Sequence, residues 1–424
     1  MRPRPSAPHI YAPQQNDKTI SHKVKMVVLS VAEVIHYPIV PVNFASSKNQ
    51  KVMKRPFAIS LLAGGMLYSP FAAAQIETGN APKDRSLDEV VVTGTRNETD
   101  AAQLPATVSV IDRKQIEQAN TPSLLPILTE QVPGLFVSSR GIMGYGVSGG
   151  AAGEINLRGI SGSSGRLMVL IDGHPQYMGL MGHPIADAYQ SLMAEKVEIL
   201  RGPASVLYGS NAMGGVINII TRKMQTEGIS THAHVGYGSY NTLQTEATNR
   251  IRKGRFTSIV SGSYNRTDGH RADMGFEQYG GYAKLGYELS SKWKAEADVN
   301  ITHFNASQPG EVSQPLLDAD QNITRGMTSF ALENHYEKTS GRLSFFYNWG
   351  RHKINDGYAP SEGESPLPYR FHSRDNMMGV SWYQNAQLFR GNLLTAGIDW
   401  YHFGGEAWNK FVEGPQKGER KDIV

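Results

Sequence analysis

The sequence predicts an α+β domain followed by an antiparallel β-wall whose apolar face meets lipid. Three observations predict this. Residues 195–222 read as strand, tight turn, short helix, glycine loop and strand. From residue 228 onward, apolar and polar residues alternate with period two. After the first hairpin, the connections between those runs are short and long in turn, as in a barrel with turns at one rim and loops at the other.

Composition agrees with a β-rich chain. Of 424 residues, 44 are Gly and 19 are Tyr, which favours turns and strands over helical bundles. Lys plus Arg is 42 and Asp plus Glu is 38, a net charge of +4 that is too mild to suggest nucleic acid. There is no cysteine, so disulfides, thiolate zinc sites and a cysteine nucleophile are excluded. No uncleaved stretch reads as a transmembrane helix, and short half-polar strands remain able to cross a bilayer.

The elements follow in order. Residues 53–74 read as a signal peptide: Met53-Lys54-Arg55 is a basic start, 57–71 is largely apolar, and Ala72-Ala73-Ala74 is a small-residue cleavage site. A transmembrane anchor is the competing reading, but the apolar run is short. Signal peptides begin chains, so residues 1–52 are expected to be an upstream extension with Met53 as the true start. Residues 75–99 form a polar tail holding the run Asp88-Glu89-Val90-Val91-Val92-Thr93-Gly94-Thr95. A β-branched run in polar surroundings makes an edge strand able to join a partner's sheet. Equally, it reads as the first strand of the next domain.

That domain spans 100–222. Strands are expected at 104–111, 135–138, 155–159 and 166–173. One helix is expected from the N-cap Asp112 to Gln118, and another opening at Thr121-Pro122 and ending near 132–134. Gly159, Gly173, Gly202, Pro203, Gly209, Gly214 and Gly215 are expected at its turns and close approaches.

In the wall, Trp293, Ala295, Ala297, Val299 and Ile301 alternate with Lys294, Glu296, Asp298, Asn300 and Thr302. Leu343, Phe345, Tyr347 and Trp349 share one face, as do Leu394, Ala396, Ile398 and Trp400. Nine strands are expected: 229–238, 242–251, 255–265, 279–289, 293–304, 326–336, 342–353, 375–389 and 393–403.

Taken together, the blocks over 88–222 resemble the TonB-dependent outer-membrane receptors. The resemblance makes 100–222 the plug domain, 88–95 the box grasped by the periplasmic protein TonB, and 228–424 the first part of the β-barrel. A barrel wide enough to hold a plug has about 22 strands. The chain is therefore expected to be a truncated product, with about nine of about 22 strands, that does not close a stable pore. The resemblance also implies that Arg158, Glu195, Glu198 and Arg201 latch plug to wall; surface charge is the alternative. It implies active uptake of a scarce nutrient, a ferric siderophore or other metal chelate first, with copper, haem or cobalamin as alternatives. The implied setting is the outer membrane of a Gram-negative bacterium, with TonB, its inner-membrane energising complex, the ligand and outer-membrane lipid as partners, and no cofactor. A passive outer-membrane channel and a non-functional fragment are the other classes.

Other motifs carry less. Gly146-Val147-Ser148-Gly149-Gly150 fits G-x-S-x-G but lacks the strand-to-helix setting of a nucleophile elbow, so no enzyme is expected. Asp318, Asp320 and Asn322 have calcium-loop spacing, yet Ile323 stands where glycine is wanted. Met143, Tyr145, Met178, Met181 and His183 fall in plug loops where soft donors would suit copper; apolar packing by Met is the competing reading. His232 and His234 share the polar face of the first wall strand and are expected to line the lumen.

Overall fold

The computed structural model describes residues 26–33, 90–96, 98–101, 104, 106–119, 121–139, 143–145, 155–161, 166–176, 180, 184–389 and 391–423. The signal peptide, Asp88, Glu89, Met178, Met181, His183 and the 146–150 motif lie outside these residues. So does residue range 1–52 apart from β1 (Met26–Glu33).

The plug opens with β2 (Val90–Val91) and β3 (Thr99–Asp100), paired antiparallel. Strand β4 (Thr107–Ile111) then leads into α1 (Arg113–Ala119). Asp112 caps that helix as expected. Its Oδ1 accepts from Gln115 N at 2.8 Å, and Gln115 Oε1 accepts from Asp112 N at 2.9 Å, a reciprocal capping box. Helix α2 (Leu125–Gln131) starts later than expected: Pro126, not Pro122, sits in its first turn. Thr121 and Ser123 instead spend their hydroxyls on local backbone contacts.

There follow β5 (Leu135–Val137), β6 (Ile155–Leu157), β7 (Ile160–Ser161), β8 (Leu167–Ile171), β9 (His174–Pro175), β10 (Ala194–Arg201), α3 (Ser205–Tyr208) and β11 (Gly215–Thr221). The central sheet has the order β4-β10-β11-β8-β9, with β11 parallel to β8. Its apolar face, with Val169, Ile171, Val197, Ile199, Ile217 and Ile219, packs on Ile116, Leu125 and Leu128 of the helices. Gly159, Gly173, Gly202, Gly209 and Gly215 all have positive φ. Gly215 is the most constrained, since a Cβ there would lie 2.5 Å from the Leu200 carbonyl oxygen.

The wall comprises β12 (Gly228–Gly238), β13 (Thr242–Lys253), β14 (Phe256–Thr267), β15 (Phe276–Glu288), β16 (Trp293–Ser307), β17 (Leu317–His335), β18 (Thr339–Tyr358), β19 (Tyr369–Ala386) and β20 (Asn392–Phe411). Each pairs antiparallel with the next. Strand β1 adds to the outer side of β20, and β21 (Arg420–Asp422) pairs its far end. The sheet does not close, so the architecture is an α+β plug with an incomplete antiparallel barrel.

Its polarity is inverted relative to a soluble protein. Val260, Leu285, Val299, Ile301, Phe330, Phe345 and Trp382 are exposed, while Ser261, Lys284, Glu296, Asp298, Asn300, Ser329 and Asn348 are buried on the inner face. That follows directly from the period-two reading. Strands β17 and β18 run past their expected ends, so the 305–325 and 354–372 connections shrink to 308–316 and 359–368. This corrects the calcium reading. Asp318, Asp320 and Asn322 lie along an extended strand, where alternate residues are about 7 Å apart and cannot wrap an ion. Asp318 pairs with Arg370 at 2.6 Å. Among the described residues no group of three or more His, Cys, Asp or Glu is placed to hold a metal.

One glycine shows how closely plug and wall approach. A Cβ at Gly280 of β15 would occupy the place of the Gln190 Oε1 atom. Gln190, on the plug, donates from Nε2 to Thr302 of β16 at 3.0 Å.

Candidate functional site: the docked N-terminal segment

Residues 90–96 form a short strand and turn held against the plug sheet. The holding group is Glu198, in the middle of β10 between Val197 and Ile199, with no exposed surface. A carboxylate so placed needs partners, and the segment supplies them. Glu198 Oε2 accepts from Val92 N at 2.9 Å, Thr93 N at 2.8 Å and Thr93 Oγ1 at 2.6 Å. Lys196 Nζ pairs with Glu198 Oε1 at 2.7 Å and donates to the Val90 carbonyl at 2.7 Å. The Tyr208 hydroxyl donates to the Thr93 carbonyl at 3.0 Å, and Asn218 Nδ2 donates to Thr93 Oγ1 at 3.0 Å. Burial raises the Tyr208 pKa well above its ordinary value, keeping that hydroxyl a donor.

The next residue but two ties the segment to the wall. Arg96, at φ 58°, makes a forked pair with Asp399 of β20, Nη2 to Oδ2 at 2.7 Å and Nη1 to Oδ1 at 3.1 Å. It also donates to the Leu207 carbonyl at 2.7 Å and lies 4.9 Å over the Tyr208 ring. Burial acts to lower the Arg96 pKa, but Asp399 outweighs it and the net shift is upward, so the guanidinium stays charged.

A family model described as the TonB-dependent receptor plug domain matches residues 100–216. The vitamin B12 transporter BtuB of Vibrio vulnificus (strain YJ016) is 26% identical over 333 residues, covering 76% of this chain and 51% of that protein. Among solved structures, P. aeruginosa FpvA bound to heterologous pyoverdines shares the fold at TM-score 0.63 and 15% identity, over 77% of this chain and 46% of that one. The copper transporter OprC does so at TM-score 0.62 and 16% identity, over 74% and 48%. The chain is similar to the TonB-dependent receptors, and residues 100–216 match their plug domain. It spans about half the length of the curated relative it matches.

The expected latch needs correction. Glu198 does not face the wall; it grips residues 92–93, because those amides are the donors within reach of its buried carboxylate. Arg158 is exposed, and its backbone N donates to the Gly134 carbonyl at 2.7 Å. Glu195 and Arg201 are half-buried. None of these three makes a salt bridge among the described residues. The described plug–wall ion pairs are Arg96–Asp399, Asp172–Lys284 at 3.2 Å, and Arg222–Glu246 of β13 at 3.7 Å.

The plug-loop donors also separate. Met143 packs with Ile185 of the plug and Phe276, Phe304 and Ile323 of the wall. Tyr145 is buried in the plug core, its N donating to Asp187 Oδ2 at 3.0 Å. Both are covered by packing and offer no open donor face. His232 and His234 face inward and border a cavity of about 200 Å³ with Glu117, Gln244 and Glu246, between α1 and β12–β14.

Sequence reasoning missed Arg96, Asp399, Asp172 and Lys284. For Lys284 and Asp399 the signal available was a lone charge in an inward-facing position of a strand, which requires a buried partner of opposite sign.

Proposed function

We propose that this chain serves a receptor that takes up a scarce metal chelate across the outer membrane, with TonB engaging residues 88–95. The observation that carries the reading is the docked segment. Residues 90–95 carry the β-branched run expected to join a partner's sheet, and here that run is stored on the plug by one carboxylate and a few side chains. A reversible dock of this kind lets a partner take the segment without unfolding the barrel. The outward apolar face of the wall supports placement in a bilayer. The names of the relatives, a vitamin B12 transporter, a pyoverdine–iron complex and a copper transporter, favour a chelated metal as cargo. Ferric siderophore is the first choice, cobalamin or copper the alternatives.

The test is capture of the chain by the soluble periplasmic domain of TonB. The intact chain is expected to bind, and the chain lacking Asp88–Thr95 is expected not to. Equal capture of both chains would remove the reading and favour a passive channel. Titration with ferric siderophores, cobalamin and copper chelates then assigns the cargo.

A further inference from the structure

The docked segment and the wall are joined through one side chain. Asn218 lies on β11 directly across from Glu198 and is 2% exposed. Its two amide ends point to different places. Nδ2 donates to Thr93 Oγ1 at 3.0 Å, and Oδ1 accepts from Gly173 N at 3.1 Å.

Gly173 belongs to the β8–β9 turn, and that turn is seated on the wall. Asp172, at φ 47°, accepts from Thr221 N at 2.9 Å, from the Thr221 hydroxyl, and from Lys284 Nζ of β15 at 3.2 Å. Lys284 also donates to Thr221 Oγ1 at 2.9 Å. His174 Nε2 meets Ser344 Oγ at 3.1 Å, and its ring stacks on Phe346 at 5.0 Å. Asn348 Nδ2 donates to the Pro175 carbonyl at 2.6 Å. Of these four consecutive residues, Asp172, His174 and Pro175 are thus tied to β15 or β18, and Gly173 to Asn218.

An amide has one acceptor oxygen and one donor end in a rigid plane. Buried in a strand, it cannot follow the turn with one end and stay with Thr93 at the other. We propose that Asn218 is a positioning residue that couples docking of residues 90–95 to seating of the Asp172–Pro175 turn on the wall. A disturbance that unseats Lys284 from Asp172 then loosens the segment, and pulling the segment strains the seat. The coupling holds whatever the segment binds; only its consequence for TonB rests on the function proposed above.

The chain has no cysteine, so a single engineered thiol reports without background. Val91 is fully buried in the docked segment. The measurement is the maleimide labelling rate of a Val91→Cys chain refolded in detergent micelles. Lys284→Met is expected to raise that rate about tenfold, and to add less than about twofold once Asn218→Ala is present. Equal acceleration in both backgrounds, or in neither, overturns the proposal. Ile217→Cys, buried beside Asn218, is the fold control and is expected to stay protected. If it opens as fast as Val91→Cys, the plug has melted and local coupling is refuted. Capture by the periplasmic domain of TonB is read in parallel. Capture that rises with labelling supports both readings; labelling that rises without capture retains the coupling and removes the TonB reading.

Discussion

Replacing Glu198 by Gln tests whether one carboxylate holds the N-terminal segment. The oxygen that accepts from Val92 N, Thr93 N and Thr93 Oγ1 is retained, but its charge is lost. Bonds to a charged acceptor contribute about 1.5–3 kcal/mol and neutral ones about 1 kcal/mol, so each bond weakens by roughly 1 kcal/mol. Three bonds give about 3 kcal/mol, which at about 1.4 kcal/mol per decade is a shift of roughly 100-fold in the docking equilibrium. Lys196 is partly solvated and adds little. The assay is amide hydrogen exchange. The Val92 and Thr93 amides should exchange roughly 100-fold faster in Glu198→Gln, while those of Val197 and Ile199 on β10 keep their protection. Glu195→Gln, which removes no bond to the segment, should change neither. Unaltered exchange at 92–93 would refute the clasp, as would equal acceleration along β10.

Other outcomes follow from the plug. Gly215→Ala places a methyl 2.5 Å from the Leu200 carbonyl oxygen and 2.8 Å from Leu157 Cδ2 at φ 145°, and should cost about 2–4 kcal/mol in thermal melts. Gly404→Ala, with nothing within 4 Å of the new methyl, should be near neutral. His174 has its pKa pushed down to about 3 by burial, with Arg342 adding to the effect. Between about pH 3 and its unfolded value of about 6.5, the unfolded chain binds the extra proton, so this stability is present above about pH 6.5 and lost on acidification. Melting temperature should therefore fall from pH 7 to pH 4.5, and less steeply in His174→Gln. Asp172 shifts the same balance only at lower pH: burial would raise its pKa, but Lys284, Arg342 and the Thr221 bonds hold it well below the usual carboxylate range.

The wall was legible because period two needs only neighbours in sequence. Val299 and Ile301 point out and Asp298 and Asn300 point in, as their order dictates. Its strand ends were less legible. Residues 317–325 are polar and read as loop, yet they continue the ladder with β16 and β18, because pairing and not hydrophobicity extends a strand beyond its apolar band. The plug sheet and the Asp112 cap were legible as local patterns. The latch was not. Glu198 and Thr93 are 105 residues apart, and no local pattern tells which donor a buried carboxylate will meet. The second helix is expected from Pro122, but it opens at Leu125 with Pro126 in its first turn, where Leu125 and Leu128 pack on the sheet.

The missing side chain at Gly280 bears on whether plugs and walls are interchangeable parts. Gln190 sits where any other residue's Cβ would be, and its amide reaches on to Thr302. A wall with even an alanine at this position would expel this plug's glutamine. This wall joined to a plug with a smaller residue at 190 would hold a hole beside an unpaired threonine. Plug and wall are therefore a fitted pair, and a chimera of two receptors has to carry the glycine and the glutamine across together.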